Sequence, residues 1–169
     1  MLLYHYTTMQ HYLEIVVSGQ INTTHSELLR PVNLHLNAEG TAWVDEATDD
    51  YKPVVWLTCE PNAKSEDYGN WDTATESKTE VRIAVEKAKD MYLWNAWRKA
   101  NRMEEEWFEQ LRSNMPGWRD VYVCERPIPT SDFVEVRIRV EAAKRFGMFE
   151  SLGISEPRDA EYIYTACAR

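Results

Sequence analysis

Apolar and polar positions along this chain switch between two periods. Leu2 to Tyr6 is an apolar and aromatic run that predicts a strand, with His5 set between Tyr4 and Tyr6 where Val or Ile would pack better. From Met9 the spacing turns helical: Met9, Tyr12, Leu13, Val16 and Val17 share one face. Thr7 or Thr8 can cap that helix, Gly19 supplies a left-handed stop, and Ile21 begins a new direction. Residues 22 to 52 hold Thr, Asn, His and Asp, with apolar islands at Leu28-Leu29, Leu34-Leu36 and Trp43-Val44. A loop of that length in a compact domain is often functional.

Further along, "PVVWLT" (Pro53 to Thr58) predicts a buried strand. "TEVRIAVE" alternates and places Val81, Ile83 and Val85 on one face. Residues 88 to 112 predict a helix through Met91, Trp94 (or Leu93), Trp97, Met103, Trp107 and Leu111, ended by Pro116-Gly117. "RDVYVCERPIP" predicts a strand running into a Pro-framed turn, and "DFVEVRIRVE" another strand. "AAKRFGMFESLG" has a helical pattern with an early glycine, and "AEYIYTACA" suits a last edge strand. No repeat, low-complexity tract or linker divides the chain, so residues 1–169 are expected to form a single domain. About six strands and two or three helices, with alternating strands, predict an α+β fold with antiparallel sheets covered on one face.

Composition narrows the function classes. A hydrophobic content of 44% is that of a globular chain, and seven Trp and nine Tyr suggest an aromatic core with rings left over for a pocket or interface. The net charge of -9 repels nucleic-acid phosphates over much of the surface. Arg30, Lys78, Arg82, Arg98, Lys99 and Arg102 could still form a local basic patch, although they are scattered among acids. Cys59, Cys124 and Cys167 make no CxxC pair, and with no apolar run of membrane-spanning length they point to a reduced, cytoplasmic protein without a membrane partner.

The chemistry-bearing residues give a partial pattern. The four histidines lie within the first 35 residues without HxH or HExxH spacing, so no metal site is expected. No GxGxxG or GxxxxGK[ST] loop occurs, so a nucleotide would need another device. His5 on the first strand, the "VVWLT" strand, Tyr68 in a polar segment and Asp120 before "VYVCERPIP" are met in that order. Together, "LYHYT...L..IV.SG.I", "VVWLT" and "DVYVCERPIP" resemble the ADP-ribosyltransferase superfamily, with the texture of DarT-like and phage-type members. The resemblance covers about residues 2 to 21, 53 to 85 and 118 to 136.

That resemblance implies a fold of split antiparallel β-sheets with flanking helices, and NAD as substrate. It implies that His5 donates a hydrogen bond to a ribose hydroxyl and that the Tyr6 backbone holds the nicotinamide amide. Thr7 would support the ribose, and Tyr68 would stack on the nicotinamide ring. The catalytic acid falls to Asp120, one methylene shorter than the usual Glu, with Glu125 and then Glu161 as substitutes. The implied reaction is transfer of ADP-ribose to a macromolecular acceptor, with protein preferred over nucleic acid on charge, in the setting of a toxin or phage factor. A catalytically silent interaction protein that blocks a partner, and an NAD glycohydrolase, remain the alternatives. Oligomeric state and acceptor stay open.

Overall fold

The structure is a computed structural model that describes residues 1–24, 34–36, 43–45, 53–64, 77–101, 108–109, 112–113, 115–158 and 160–166. Strand β1 (Leu2–Thr7) ends at Thr8, whose extended backbone and side-chain oxygen, accepting the His11 amide, cap helix α1 (Met9–Ser18). Gly19, at φ 74°, closes that helix in the left-handed region, which an L side chain enters only with strain. A short strand β2 (Gln20–Ile21) follows. The ladder β3 (Leu34–Leu36) with β4 (Trp43–Asp45) stands apart as a two-stranded unit.

The remaining strands are β5 (Val55–Thr58), β6 (Val81–Glu86), β7 (Met91–Leu93), β8 (Val121–Cys124), β9 (Ile128–Pro129), β10 (Phe133–Arg139) and β11 (Tyr162–Ala166). All of these but β9 join β1 in a seven-stranded sheet of order β11-β10-β6-β1-β5-β8-β7, antiparallel at every pairing, while β2 pairs with β9. Helices α2 (Trp94–Ala100), α3 (Val140–Arg145) and α4 (Met148–Leu152) and two 3-10 turns, Pro116–Asp120 and Thr130–Asp132, complete the named elements. This is an α+β architecture with a mostly antiparallel sheet, and β11 lies at its edge, in line with the last edge strand expected of "AEYIYTACA".

Period-two alternation sorts the side chains of this sheet onto two unlike faces. Leu3, Val55, Leu57, Val81, Ile83, Val85, Val136 and Ile138 form one core with Met9 and Ile15 of α1, Ala142 and Ala143 of α3, and Phe149 of α4. Each such Leu, Ile or Val contributes about 1.5–3 kcal/mol by leaving water. The other face carries a second core around Trp94, Trp97, Phe108 and Met115 against Val54, Val121 and Val123. Here tilted rings sit 5.9 Å apart for Trp56–Trp94 and 5.7 Å apart for Trp94–Phe108.

Several expectations change. Eleven strands form among the described residues, where the sequence pattern predicts about six. Helix α1 buries Met9 and Ile15, while Leu13, Val16 and Val17 of the expected face are exposed. The helix predicted over residues 88 to 112 starts late. Met91, Tyr92 and Leu93 pair as β7 with Cys124, Val123 and Tyr122, and the helix begins only at Trp94. Pairing with an otherwise open strand edge outweighs a helical spacing that a three-residue strand can also satisfy. The later part of that helix, residues 102–107, lies outside the described residues. "AAKRFGMFESLG" divides into α3 and α4 because Gly147 sits at φ 65° between them. No helix among the described residues is long and apolar enough to cross a membrane.

Candidate functional site

The sheet opens between β1 and β5. On its β6 side, β1 is registered along its whole length, from Leu2 opposite Glu86 to Thr7 opposite Val81. On its β5 side the register holds only Tyr4 opposite Thr58. The Lys87 amide donates to the Met1 carbonyl, which makes the odd-numbered residues of β1 the ones that exchange bonds with β6. The even-numbered residues therefore turn their N–H and C=O toward β5. Tyr4 meets Thr58 there, and Tyr6 faces a stretch where the ladder is not continued.

The β5 edge past that point is met by other groups. The Trp56 carbonyl accepts a bond from His5 Nδ1 at 2.9 Å. Val54 exchanges both backbone bonds with Thr24, at 3.0 and 3.2 Å. The strands thus part like the arms of a fork, with the His5 imidazole bridging its apex and Tyr6, Thr7 and Thr8 along one arm. His5, which spoils the apolar pattern of the first strand, replaces a ladder bond with a side-chain bond.

The bond fixes the state of His5. A carbonyl only accepts, so Nδ1 carries the proton and Nε2 presents a lone pair, with no hydrogen bond to a described residue. Burial lowers the His5 pKa, the Trp56 carbonyl pulls it partly back, and Lys78 and His11 lower it further. The ring is neutral at neutral pH. It would accept a hydrogen bond from a ligand hydroxyl, where the family resemblance implies that it donates one.

The other predicted site residues scatter around the fork. The Tyr6 ring lies on the second face, its hydroxyl donating to the Glu60 carbonyl at 3.2 Å and accepting from the Ala63 amide at 3.1 Å. Thr7 is buried at the end of β1. Glu125 follows β8 at the Thr7 end of the sheet and accepts from Trp97 Nε1 at 2.8 Å. Asp120 precedes β8 at the opposite end, five residues and about 17 Å of extended chain away. It is exposed, and it accepts from the Cys59 thiol at 3.6 Å. Asp120 and Glu125 are therefore not brought together. Burial raises the Cys59 thiol, and the Asp120 carboxylate raises it further, so this cysteine is a poor nucleophile. Glu161 is exposed just before β11. Tyr68 lies outside the described residues.

Two groups not singled out in the sequence adjoin the fork. The Glu80 carboxylate is buried and accepts from the Met9 amide at 2.9 Å, the Ser77 amide at 3.1 Å and Arg145 at 2.8 Å. Burial raises its pKa, but those donors more than offset this and hold it below the usual carboxylate range. It anchors the start of α1 beside Thr8. On the second face, a cavity of about 360 Å³ is lined by Tyr6, Ser77, Thr79, Arg82, Arg137 and Arg139, among others. The strand alternation in "VRIAVE" and "FVEVRIRVE" carries the signal: Arg82, Arg137 and Arg139 all occupy the face opposite the aliphatic core.

Comparison of the chain with protein-family models, with curated proteins and with solved structures finds no match.

Proposed function

We propose that this protein is an ADP-ribosyltransferase-like domain that transfers ADP-ribose from NAD to a macromolecular acceptor, with the fork between β1 and β5 as its nicotinamide site. The observation that carries this reading is the Tyr6 backbone turned toward β5 beyond the end of their ladder. A carboxamide offers one carbonyl and one N–H on the same edge. A strand residue that turns its N–H and C=O toward that edge complements it as a neighbouring strand would.

In the reaction, the bond between nicotinamide nitrogen and ribose C1′ breaks and its electron pair leaves with nicotinamide. Positive charge builds on the ribose carbon. A nucleophilic atom of the acceptor forms the new bond to C1′ and gives its proton to a carboxylate. His5 Nε2 accepts from a ribose hydroxyl, and Thr7 supports that hydroxyl. Tyr68 stacks on the departing ring. Glu125 is the carboxylate we favour, because it shares the Thr7 end of the sheet. Asp120 is the alternative. The net charge of -9 favours a protein acceptor over a polyanion, and the separated cysteines suit work in the cytoplasm.

Labelled NAD incubated with a cell lysate tests this reading. Label should pass to an acceptor, and His5→Asn should lower transfer about tenfold, since one hydrogen bond is worth about 0.5–1.5 kcal/mol. Glu125→Gln should lower it about 10²- to 10⁴-fold, and Asp120→Asn should leave it within about twofold. The reverse order would assign the carboxylate to Asp120. Nicotinamide released without a labelled acceptor would make the protein a glycohydrolase, and no NAD binding would leave a silent interaction domain.

A further inference from the structure

The cavity on the second face gathers three arginines, each set over a tyrosine ring: Arg82 over Tyr4, Arg137 over Tyr164 and Arg139 over Tyr162. Cross-strand register aligns Tyr6 with Arg82, Arg82 with Arg137, and Arg137 with Tyr164, in one row across β1, β6, β10 and β11. Arg139 stands opposite Tyr162 at the next position on the same face. Like charges directly opposite on neighbouring strands are destabilising, and Arg82 and Arg137 are such a pair. One carboxylate serves both: Glu135 lies 2.6 Å from Arg82 and 3.1 Å from Arg137. Arg82 is 7% exposed and also donates to the Pro61 carbonyl.

Arg139 has no carboxylate partner among the described residues. Its guanidinium lies 5.8 Å from the centre of the Tyr162 ring, and its buried Nε makes no hydrogen bond. The buried Nε of Arg82 is likewise without a hydrogen bond, and that of Arg137 faces Glu135 without hydrogen-bond geometry. Two of the three guanidinium groups thus share one carboxylate, and Arg139 has none among the described residues, in a chain whose net charge is -9. The rim adds the Ser77 and Thr79 hydroxyls and the Asn62 side chain.

We propose that this cavity is a phosphate-binding site, taking the phosphate or diphosphate of a nucleotide-sized ligand on Arg139 and Arg137, with Arg82 forming its floor. Guanidinium forks match phosphate oxygens in pairs, and such an anion would balance the positive charge that Glu135 alone does not. The volume of about 360 Å³ is near the lower end of small-ligand sites, which suits a phosphate with part of its nucleoside. The phosphate can come from the dinucleotide proposed at the fork, which Tyr6 links to this cavity, or from a separate phosphorylated ligand. The pocket stands on its own arginines and does not require the fork to bind NAD.

Calorimetric titration of inorganic pyrophosphate into the whole chain tests the proposal, beside Arg139→Gln and Arg137→Gln. Arg139 supports no ion pair among the described residues, so its variant should keep the wild-type melting temperature while pyrophosphate affinity falls about tenfold or more. A parallel titration with NAD separates the sources. An equal loss of NAD affinity identifies the phosphate as that of NAD, and unchanged or absent NAD binding identifies a second ligand. No pyrophosphate binding by the wild-type chain, or equal binding by both variants, would overturn the proposal.

Discussion

At the scale of single residues, two titratable groups near the fork do different work, the half-buried His5 and the buried Glu80. His5 is held neutral, with a pKa below its ordinary value, so the unfolded chain binds its proton more readily than the folded one. Its contribution is full above about pH 6.5 and fades as pH falls from there through the depressed folded value. His5→Asn keeps a donor for the Trp56 carbonyl and removes Nε2. Stability at pH 7.5 should change by less than about 1 kcal/mol, and the acid-side loss attributable to His5 should vanish, as read by urea denaturation at several pH values. Glu80 uses both oxygens as acceptors, for Met9 on one side and for Ser77 and Arg145 on the other. An amide has one oxygen, so Glu80→Gln must set its NH₂ against a donor. We expect a cost of about 1–3 kcal/mol at neutral pH. Its folded pKa is depressed, so that cost should shrink as pH falls through the folded value and the wild-type carboxylate protonates. His5 was legible because it breaks an apolar run. Glu80 was not, because its partners come from residues 9, 77 and 145, which only the fold gathers.

At the scale of elements, the turn from β1 into α1 and out again is set by few positions. Thr8→Ala removes the oxygen that accepts the His11 amide and should cost about 0.5–2 kcal/mol in thermal or urea unfolding. Gly19→Ala meets no atom within 4 Å, so any loss there comes from backbone strain at φ 74°, about 1–2 kcal/mol. Both signals stand in the sequence, because a capping hydroxyl and a stop glycine act locally. The same holds for β6, where Val81, Ile83 and Val85 alternate and all three are buried. The start of α2 was not legible. Met91 to Leu93 satisfies either period, and the choice was made by β8, a strand some thirty residues later in the chain. The basic row was half legible: Arg82 stood among the candidate cations, but only register reveals Arg137 opposite it and Arg139 nearby.

At the scale of the molecule, one sheet serves two purposes because its faces differ. The aliphatic face, packed by α1, α3 and α4, is the larger core. The other face divides into a tryptophan-rich half over β5 and β8 and an arginine–tyrosine half over β6, β10 and β11. The fork lies where those halves meet, with Tyr6 belonging to both: its ring packs near the second core and lines the cavity, while its backbone turns to the opening. The central claim is that this opening reads a carboxamide. Calorimetric titration with NAD and with its carboxylate analogue, nicotinic acid adenine dinucleotide, tests it most directly. The analogue offers no N–H to the Tyr6 carbonyl and sets a charge against it, so NAD should bind and the analogue should bind about tenfold or more weakly. Equal affinity for the two, or no heat from NAD at saturating concentration, would contradict the account.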